Sequence, residues 1–199
     1  MKFIIATKNA KKKLELERIL APMGYEVICE SDLDEPLPEV DETGTTFEEN
    51  AALKARSACE HTGLPAIADD SGLCVDALGG DPGVRSARYG TPGWNDAQRT
   101  DYLLKNMEGV PDEKRTARFV SAVCCVLPDG RSLTLRGECE GYIGDAPRGS
   151  NGFGYDPVFV VGDATFAEMD NAEKDRISHR GRALRLLRDR LPSFLTFSE

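Results

Sequence analysis

The stretch TARFVSAVCCVLPDGRSLTLRGECEGYI, residues 116–143, decides the fold class. Two runs rich in Val, Thr, Leu and Phe flank Pro128-Asp129-Gly130, a tripeptide suited to a tight turn. The segment therefore predicts a long hairpin. Just downstream, PVFVV (157–161) reads as a further strand. Upstream, KFIIAT (Lys2 to Thr7) is a continuous apolar run, the pattern of a strand buried on both faces, and EVICE (26–30) predicts another.

Helical patterns separate these runs. Leu16, Ile19, Leu20 and Met23 fall at i, i+3, i+4 and i+7, and Gly24 ends the series. In TTFEENAALKARSACEHTG (45–63), Thr46 and Glu49 form a capping-box pattern, and Gly63 followed by Pro65 marks the exit. A third helix begins near Asn95 or Asp96 and carries Leu103, Leu104 and Met107. In SHRGRALRLLRDRLP (178–192), Ala183, Leu184, Leu187 and Leu191 share one face, with Ser178 as N-cap and Pro192 as the expected stop. PAIADDSG (65–72) reads as a short strand ending in two acids and a turn, LCVDAL (73–78) as a further strand, and GGDPGVRSARYGTPGWND (79–96) as a long Gly/Pro loop. Strands interleaved with helices, plus one hairpin, predict an α/β protein with a mixed sheet and helices on its faces. With no repeat, low-complexity tract or Gly/Ser linker, residues 1–199 are expected to form a single domain of two lobes.

Composition narrows the function classes. Apolar residues make up 40% of the chain and charged residues 30%, an ordinary globular balance. No run approaches the ~18 apolar residues of a membrane span. The opening MKFIIATKNAKKK has an apolar run of only four residues, Phe3 to Ala6, ahead of its lysine cluster, too short for a secretory signal, so a cytoplasmic location is expected. The net charge of −9 argues against a nucleic-acid partner, whose affinity rests on neutralising phosphates. The six cysteines show no C-x-x-C spacing and sit in apolar segments, which predicts reduced structural thiols. His61 falls in the last turn of its helix, where a partial positive charge is favourable.

Four constellations carry chemistry. In ATKNAKKKLE (6–15) a strand ends at Thr7, Lys8 and Asn9 form a turn, and a helix begins around Ala10, with Lys11, Lys12 and Lys13 beside its free N–H groups. Cations there oppose the helix dipole, a misfit that a bound phosphate would explain; a solvated basic turn is the alternative. In IADDSG (67–72), Asp69 and Asp70 are adjacent on a strand, face opposite sides, and so are expected to hold different jobs. Asp41 and Glu42 precede the capped helix, on which Asn50 and Lys54 are i, i+4 neighbours. Asp70 with one of Asp41 and Glu42 would suit Mg²⁺, which takes one or two carboxylates plus substrate phosphates. In EKDRISHRG (173–181), His179 and Arg180 open a helix whose cap, Ser178, lies four residues after Lys174. Finally, SNGFGYDPVF (150–159) sets Phe153 between two glycines, a flat ring on an uncrowded backbone that suits stacking on a nucleobase. Asp156 beside it would accept from a base edge or orient a lysine. Together these describe a nucleoside triphosphate site.

In their order along the chain, ATKNAKKKLELE, ETGTTFEENAALKA, IADDSGLCVDALGGDPGVRSARY, GFGYDPVF and EKDRISHRGRAL resemble the inosine triphosphate pyrophosphatase (Ham1-like) family over nearly the whole length. The resemblance implies an elongated fold with two lobes around a central cleft, a homodimer, and Mg²⁺-dependent hydrolysis of ITP, dITP and XTP to the monophosphate and pyrophosphate, with Mn²⁺ as a possible substitute. Such an enzyme removes non-standard purines from the nucleotide pool. The resemblance also implies that Thr7, Asn9, Lys12 and Lys54 bind phosphates and that Ser71 contacts substrate; Lys8, Ala10 and Lys11, in the same turn, are further substrate-binding candidates. Asp70 would be catalytic and a metal ligand with Asp41 or Glu42, and Asp69 or Asp70 would activate water. Phe153, Gly154, Tyr155 and Asp156 would form the base loop, and Lys174, His179 and Arg180 would read the purine. Lys8 departs from the pattern, standing where some members carry Gly. A phosphatase releasing orthophosphate and a non-catalytic nucleotide sensor are the rival readings.

Overall fold

In a computed structural model, residues 1–7 and 9–196 are described; Lys8, residues 197–199 and the side chains of Ala10 and Lys11 lie outside the description. The elements run β1 (Lys2–Ile5), α1 (Ala10–Leu20), β2 (Glu26–Cys29), α2 (Phe47–Thr62), β3 (Ala66–Val75), α3 (Asp96–Asn106), β4 (Thr116–Val126), β5 (Ser132–Ile143), β6 (Phe159–Val161), β7 (Ala164–Thr165), α4 (Asn171–Ile177) and α5 (His179–Thr196). The sheet has seven strands in the order β2-β1-β3-β4-β5-β6-β7. β1 pairs in parallel with β2 and β3, whereas β5–β6 and β6–β7 are antiparallel. The mixed α/β sheet expected from the sequence is therefore found.

The chain divides into two compact units: residues 1–70, 121–137 and 182–199, and residues 71–120 and 138–181. Each has its own apolar core. In the first, Phe3, Ile5, Leu16, Leu20, Ile67, Val123 and Leu187 are buried together. In the second, Leu73, Val75, Leu103, Phe119, Tyr155, Phe159 and Phe166 do the same. Each such side chain removed from water stabilises by roughly 1.5–3 kcal/mol. Phe119, Phe159 and Phe166 add mutual ring contacts at centroid distances of 4.7–5.8 Å.

Local signals explain most boundaries. α1 gives way to a 3-10 turn that ends at Gly24, whose φ of 81° few other residues adopt. At the start of α2, Thr46 accepts from the Glu49 N–H while Glu49 reaches back to the Thr46 N–H. Asn95 and Gln98 do the same for α3. The Pro-Asp-Gly turn closes with Gly130 N–H donating to Leu127 C=O at 2.9 Å. All six cysteines are free thiols, five of them buried.

Four expectations are corrected. Residues 69–72 make no turn: β3 runs unbroken from Ala66 to Val75, because its side chains remain buried on both sides of Asp69 and Asp70. The predicted loop 79–96 contains a 3-10 segment, Gly83–Arg88, held by the buried Ser86 hydroxyl, which accepts from the Leu73 N–H at 2.9 Å. Pro192 lies inside α5 instead of ending it. Phe194 and Leu195 beyond it still pack on the first core, so the apolar face outweighs one missing N–H. The strand expected over 157–161 has only three residues, Phe159–Val161. The short helix α4 was not anticipated; its signal is Asp170, whose side chain accepts from the Glu173 N–H at 2.8 Å. Among the described residues, no helix is long and apolar enough to cross a membrane.

Candidate active site

Two polar clusters stand out, one in each unit. In the first unit, the Ala6 N–H donates to Ile67 C=O at 2.9 Å, which draws the end of β1 alongside β3. The following turn tightens as Thr7 Oγ1 accepts from the Asn9 N–H at 3.2 Å. Asn9 then opens α1, its carbonyl taking the Lys13 N–H at 3.1 Å. One turn into α1, Lys12 Nζ lies 2.7 Å from Asp69 Oδ2.

Lys54, two turns into α2, answers the other acid. Its Nζ is 2.8 Å from Glu42 Oε1 and 3.4 Å from Asp70 Oδ1. Asp69 and Asp70 thus meet different cations, as their alternation on a strand requires. Asn50 fixes the remaining geometry. It is fully buried, donates from Nδ2 to Asp70 Oδ2 at 3.2 Å, and accepts the Gly44 N–H on Oδ1 at 2.8 Å. A Cβ at residue 44 would fall 2.6 Å from Asn50 Oδ1, so the close approach needs glycine. Of the two candidate acids before α2, Glu42 is the one brought to Asp70, while Asp41 is exposed.

The cluster frames a cavity of about 260 Å³ lined by Thr7, Lys12, Glu42, Lys54 and Asp69, with Leu37, Pro38 and Val40 as its apolar wall. Burial raises the Asp70 carboxyl above its ordinary range, partly opposed by Lys54 and reinforced by Glu42. Burial acts to lower Lys54, but Asp70, Glu42 and Asp69 outweigh it, and its proton is held more tightly than usual. Three carboxylates face two ammonium groups here, so the cluster has an excess of negative charge. Among the described residues no three His, Cys, Asp or Glu side chains form a ready cation cage. Two carboxylates already converging on one cation fit an ion that completes its shell from phosphate and water.

In the second unit, Phe153 is 40% exposed, and Lys174 Nζ and Arg180 Cζ lie 5.4 and 5.7 Å from its ring centroid. Asp156 is buried and binds Lys174 Nζ at 2.5 Å and the Phe153 N–H at 2.8 Å, so it orients a lysine here. Arg180 donates to Ser71 Oγ at 3.1 Å. The Gly181 N–H donates to Ser178 Oγ at 3.1 Å, capping α5 as expected and placing His179 and Arg180 at its start. His179 is buried, its ring stacked on Phe119 at 4.8 Å and 12°. Tyr155 departs from its expected place: it is a core side chain whose hydroxyl donates to Ser86 C=O at 2.8 Å. It supports the loop from beneath because its ring completes the aromatic core. Gly154 follows Phe153 with a φ of 61°. Lys8, the side chain of Lys11 and that of Ala10 lie outside the described residues.

Sequence reasoning noted Asn50 only as a neighbour of Lys54. The signal was a polar residue on a helix face otherwise made of Phe47, Ala51 and Ala55. Asp96 and Thr100, which meet the Phe153 loop, gave no signal beyond a helix start.

The chain thus pairs a mixed α/β sheet with two lysine–carboxylate clusters, one in each unit. The chain belongs to the Ham1 family, whose model matches residues 3–190. It is 54% identical to a dITP/XTP pyrophosphatase of Symbiobacterium thermophilum, over 98% of this chain and 96% of that protein. It is 51% identical to the protein of the same description from Thermus thermophilus, over 94% and 90%. Among solved structures, a HAM1 protein from Coxiella burnetii superimposes with a TM-score of 0.91 at 40% identity, covering 97% of this chain and 99% of that one. A nucleoside-triphosphatase / dITP/XTP pyrophosphatase from Mycobacterium abscessus gives 0.81 at 48% identity, over 94% and 97%.

Proposed function

We propose that this chain is a pyrophosphohydrolase that converts dITP, XTP and ITP to the monophosphate and pyrophosphate, clearing non-standard purines from the nucleotide pool. The observation that carries the reading is the convergence of Glu42 and Asp70 on Lys54 beside the start of α1. That chemistry matches a polyphosphate with its counter-cation, and relatives similar over the whole chain are named for this reaction.

The first unit takes the triphosphate. Thr7, Asn9, Lys12 and Lys54 bind its oxygens, with Lys8, Ala10 and Lys11 extending the same turn, and the N–H groups at the start of α1 add further donors. Glu42 and Asp70 would hold Mg²⁺, or Mn²⁺ in its place, while exposed Asp41 stays outside that pair. Bound there, the ion supplies charge neutralisation of the phosphates. Asp70 accepts the proton of the attacking water. Burial raises its proton affinity toward the working range of a base, whereas Asp69 is committed to Lys12. Attack at the α-phosphorus forms one P–O bond and breaks the P–O bond to the departing pyrophosphate. The lysines hold the negative charge that accumulates on the leaving group.

The second unit takes the base. Phe153 stacks on the purine, Asp156 holds Lys174 toward it, and Arg180 and His179 supply donors for a 6-oxo group. Ser71 steadies Arg180. Adenine presents a 6-amino donor at the same place and would leave those groups unpaired. The two units act as two lobes of one functional domain, in a cytoplasmic homodimer.

The test is a panel of ITP, XTP, dITP, GTP, ATP and UTP with and without Mg²⁺, separating pyrophosphate from orthophosphate. Pyrophosphate from ITP, dITP and XTP, dependent on the metal, is the expected result. Orthophosphate as the product would make the chain a phosphatase, and binding without turnover would make it a sensor.

A further inference from the structure

The Phe153 ring can serve a base only if its direction is fixed, and the glycines on either side of it leave that backbone intrinsically loose. The structure resolves this with two carboxylates. The peptide N–H before the Phe153 Cα, its own, ends on Asp156 Oδ2 at 2.8 Å. The peptide N–H after it, that of Gly154, ends on Asp96 Oδ2 at 2.8 Å. Fixing the two peptide planes that flank one Cα fixes both of its backbone dihedrals, and with them the bond from which the ring projects.

Asp96 belongs to α3, 58 residues away in sequence. One turn on, on the same helix face, Thr100 Oγ1 donates to the Gly154 carbonyl at 3.4 Å. Residues i and i+4 of α3 thus grip both polar groups of a single glycine. Asp96 is itself steadied by Arg99, whose Nη2 lies 2.8 Å from Asp96 Oδ1, leaving Oδ2 for the loop. An acid in the first turn of a helix is favourable on dipole grounds alone. Dipole and ion pair would be satisfied with Asp96 facing solvent; neither requires its second oxygen to meet the Gly154 N–H.

We propose that Asp96 is a positioning residue for base recognition: through the Gly154 N–H it sets the direction of the Phe153 ring. The inference rests on the reading of Phe153 as the base platform. It predicts that Asp96 affects ligands that carry a base and leaves untouched those that carry only phosphates.

The experiment compares wild type, Asp96→Ala, Asp96→Asn and Arg99→Ala in the full chain. KM and kcat are measured for ITP, and the inhibition constant for inorganic tripolyphosphate, which has no base. Asp96→Ala should raise KM for ITP about tenfold, the usual weight of one charge-assisted hydrogen bond, with kcat changed far less. Tripolyphosphate inhibition should not move. Asp96→Asn, which keeps an acceptor oxygen, should restore most of the affinity. Arg99→Ala, which keeps the acceptor but removes the ion pair that steadies it, should raise KM for ITP less than Asp96→Ala does, again without moving tripolyphosphate inhibition. An unchanged KM in Asp96→Ala, or equal weakening of ITP and tripolyphosphate, would overturn the proposal. If wild type itself shows no ITP hydrolysis, the functional reading fails first and takes this inference with it.

Discussion

Asn50 Nδ2 donates to Asp70 Oδ2 at 3.2 Å, joining a helix to a strand 20 residues further along the chain. Its other amide atom accepts the Gly44 N–H, so one fully buried side chain ties the acidic loop before α2 to the acid on β3. Removing it leaves a backbone donor and a carboxylate short of partners in a buried place. Asn50→Ala should lose about 1–3 kcal/mol of unfolding free energy, read by urea denaturation. Asn50→Asp keeps the acceptor for Gly44 but sets a second acid against Asp70. It should therefore be closer to wild type in acid, where that acid is protonated, than at neutral pH. Equal destabilisation of the two variants at every pH would sink this account.

Asp70→Asn should cut kcat by roughly 10²- to 10⁴-fold, the usual weight of a positioned acid–base group. KM for ITP should change much less, because Lys12, Lys54 and the base cluster remain. Steady-state kinetics with pyrophosphate detection decides it, and near-normal turnover in the variant would remove Asp70 from the chemistry.

How much of this was legible in the sequence follows from the range of each interaction. Thr46–Glu49 and Ser178–Gly181 are contacts three residues apart, and both were readable as spacing. Asp69 and Asp70 were readable as an alternating pair, but their partners lie in α1 and α2, and no local pattern says which lysine meets which acid. Glu42 was separable from Asp41 only once Lys54 was in view. Tyr155 was assigned to the base loop only through the resemblance, which does not say which way its ring points. Only the fold reveals that its ring lies against the core and its hydroxyl on Ser86. Pro192 was misread as a stop because local propensity was weighed without the tertiary contacts of Phe194 and Leu195.

Alkaline pH should destabilise the protein through its buried thiols. Burial pushes the Cys125 thiol from 9.0 up to about 12 and also raises Cys59 and Cys124. Between the unfolded and folded values the native state holds protons that the unfolded chain has released, so stability falls as pH rises. The loss begins above pH 9 and, for Cys125, amounts to at most about 1.4 kcal/mol for each pH unit up to 12. Thermal melts from pH 8 to pH 11 should show this decline, shallower in Cys125→Ala. A variant that falls as steeply as wild type would point to other groups.

Arg180 separates two uses of a cation at a helix start. Its guanidinium lies over the Phe153 ring and against Ser71, in the unit that carries the aromatic platform. If it reads the base, removing it takes away a donor that a 6-oxo group satisfies and a 6-amino group does not. Arg180→Ala should then lower kcat/KM for ITP by about 10- to 100-fold while that for ATP changes little, and the preference between them should shrink accordingly. If it holds phosphate instead, both substrates should fall together and the ratio should survive. Ser71→Ala, which leaves the guanidinium in place but removes its 3.1 Å partner, should give a smaller loss in the same direction. Measuring kcat/KM for both triphosphates in the two variants distinguishes these uses, and an undiminished ITP preference in Arg180→Ala would exclude base reading by this residue.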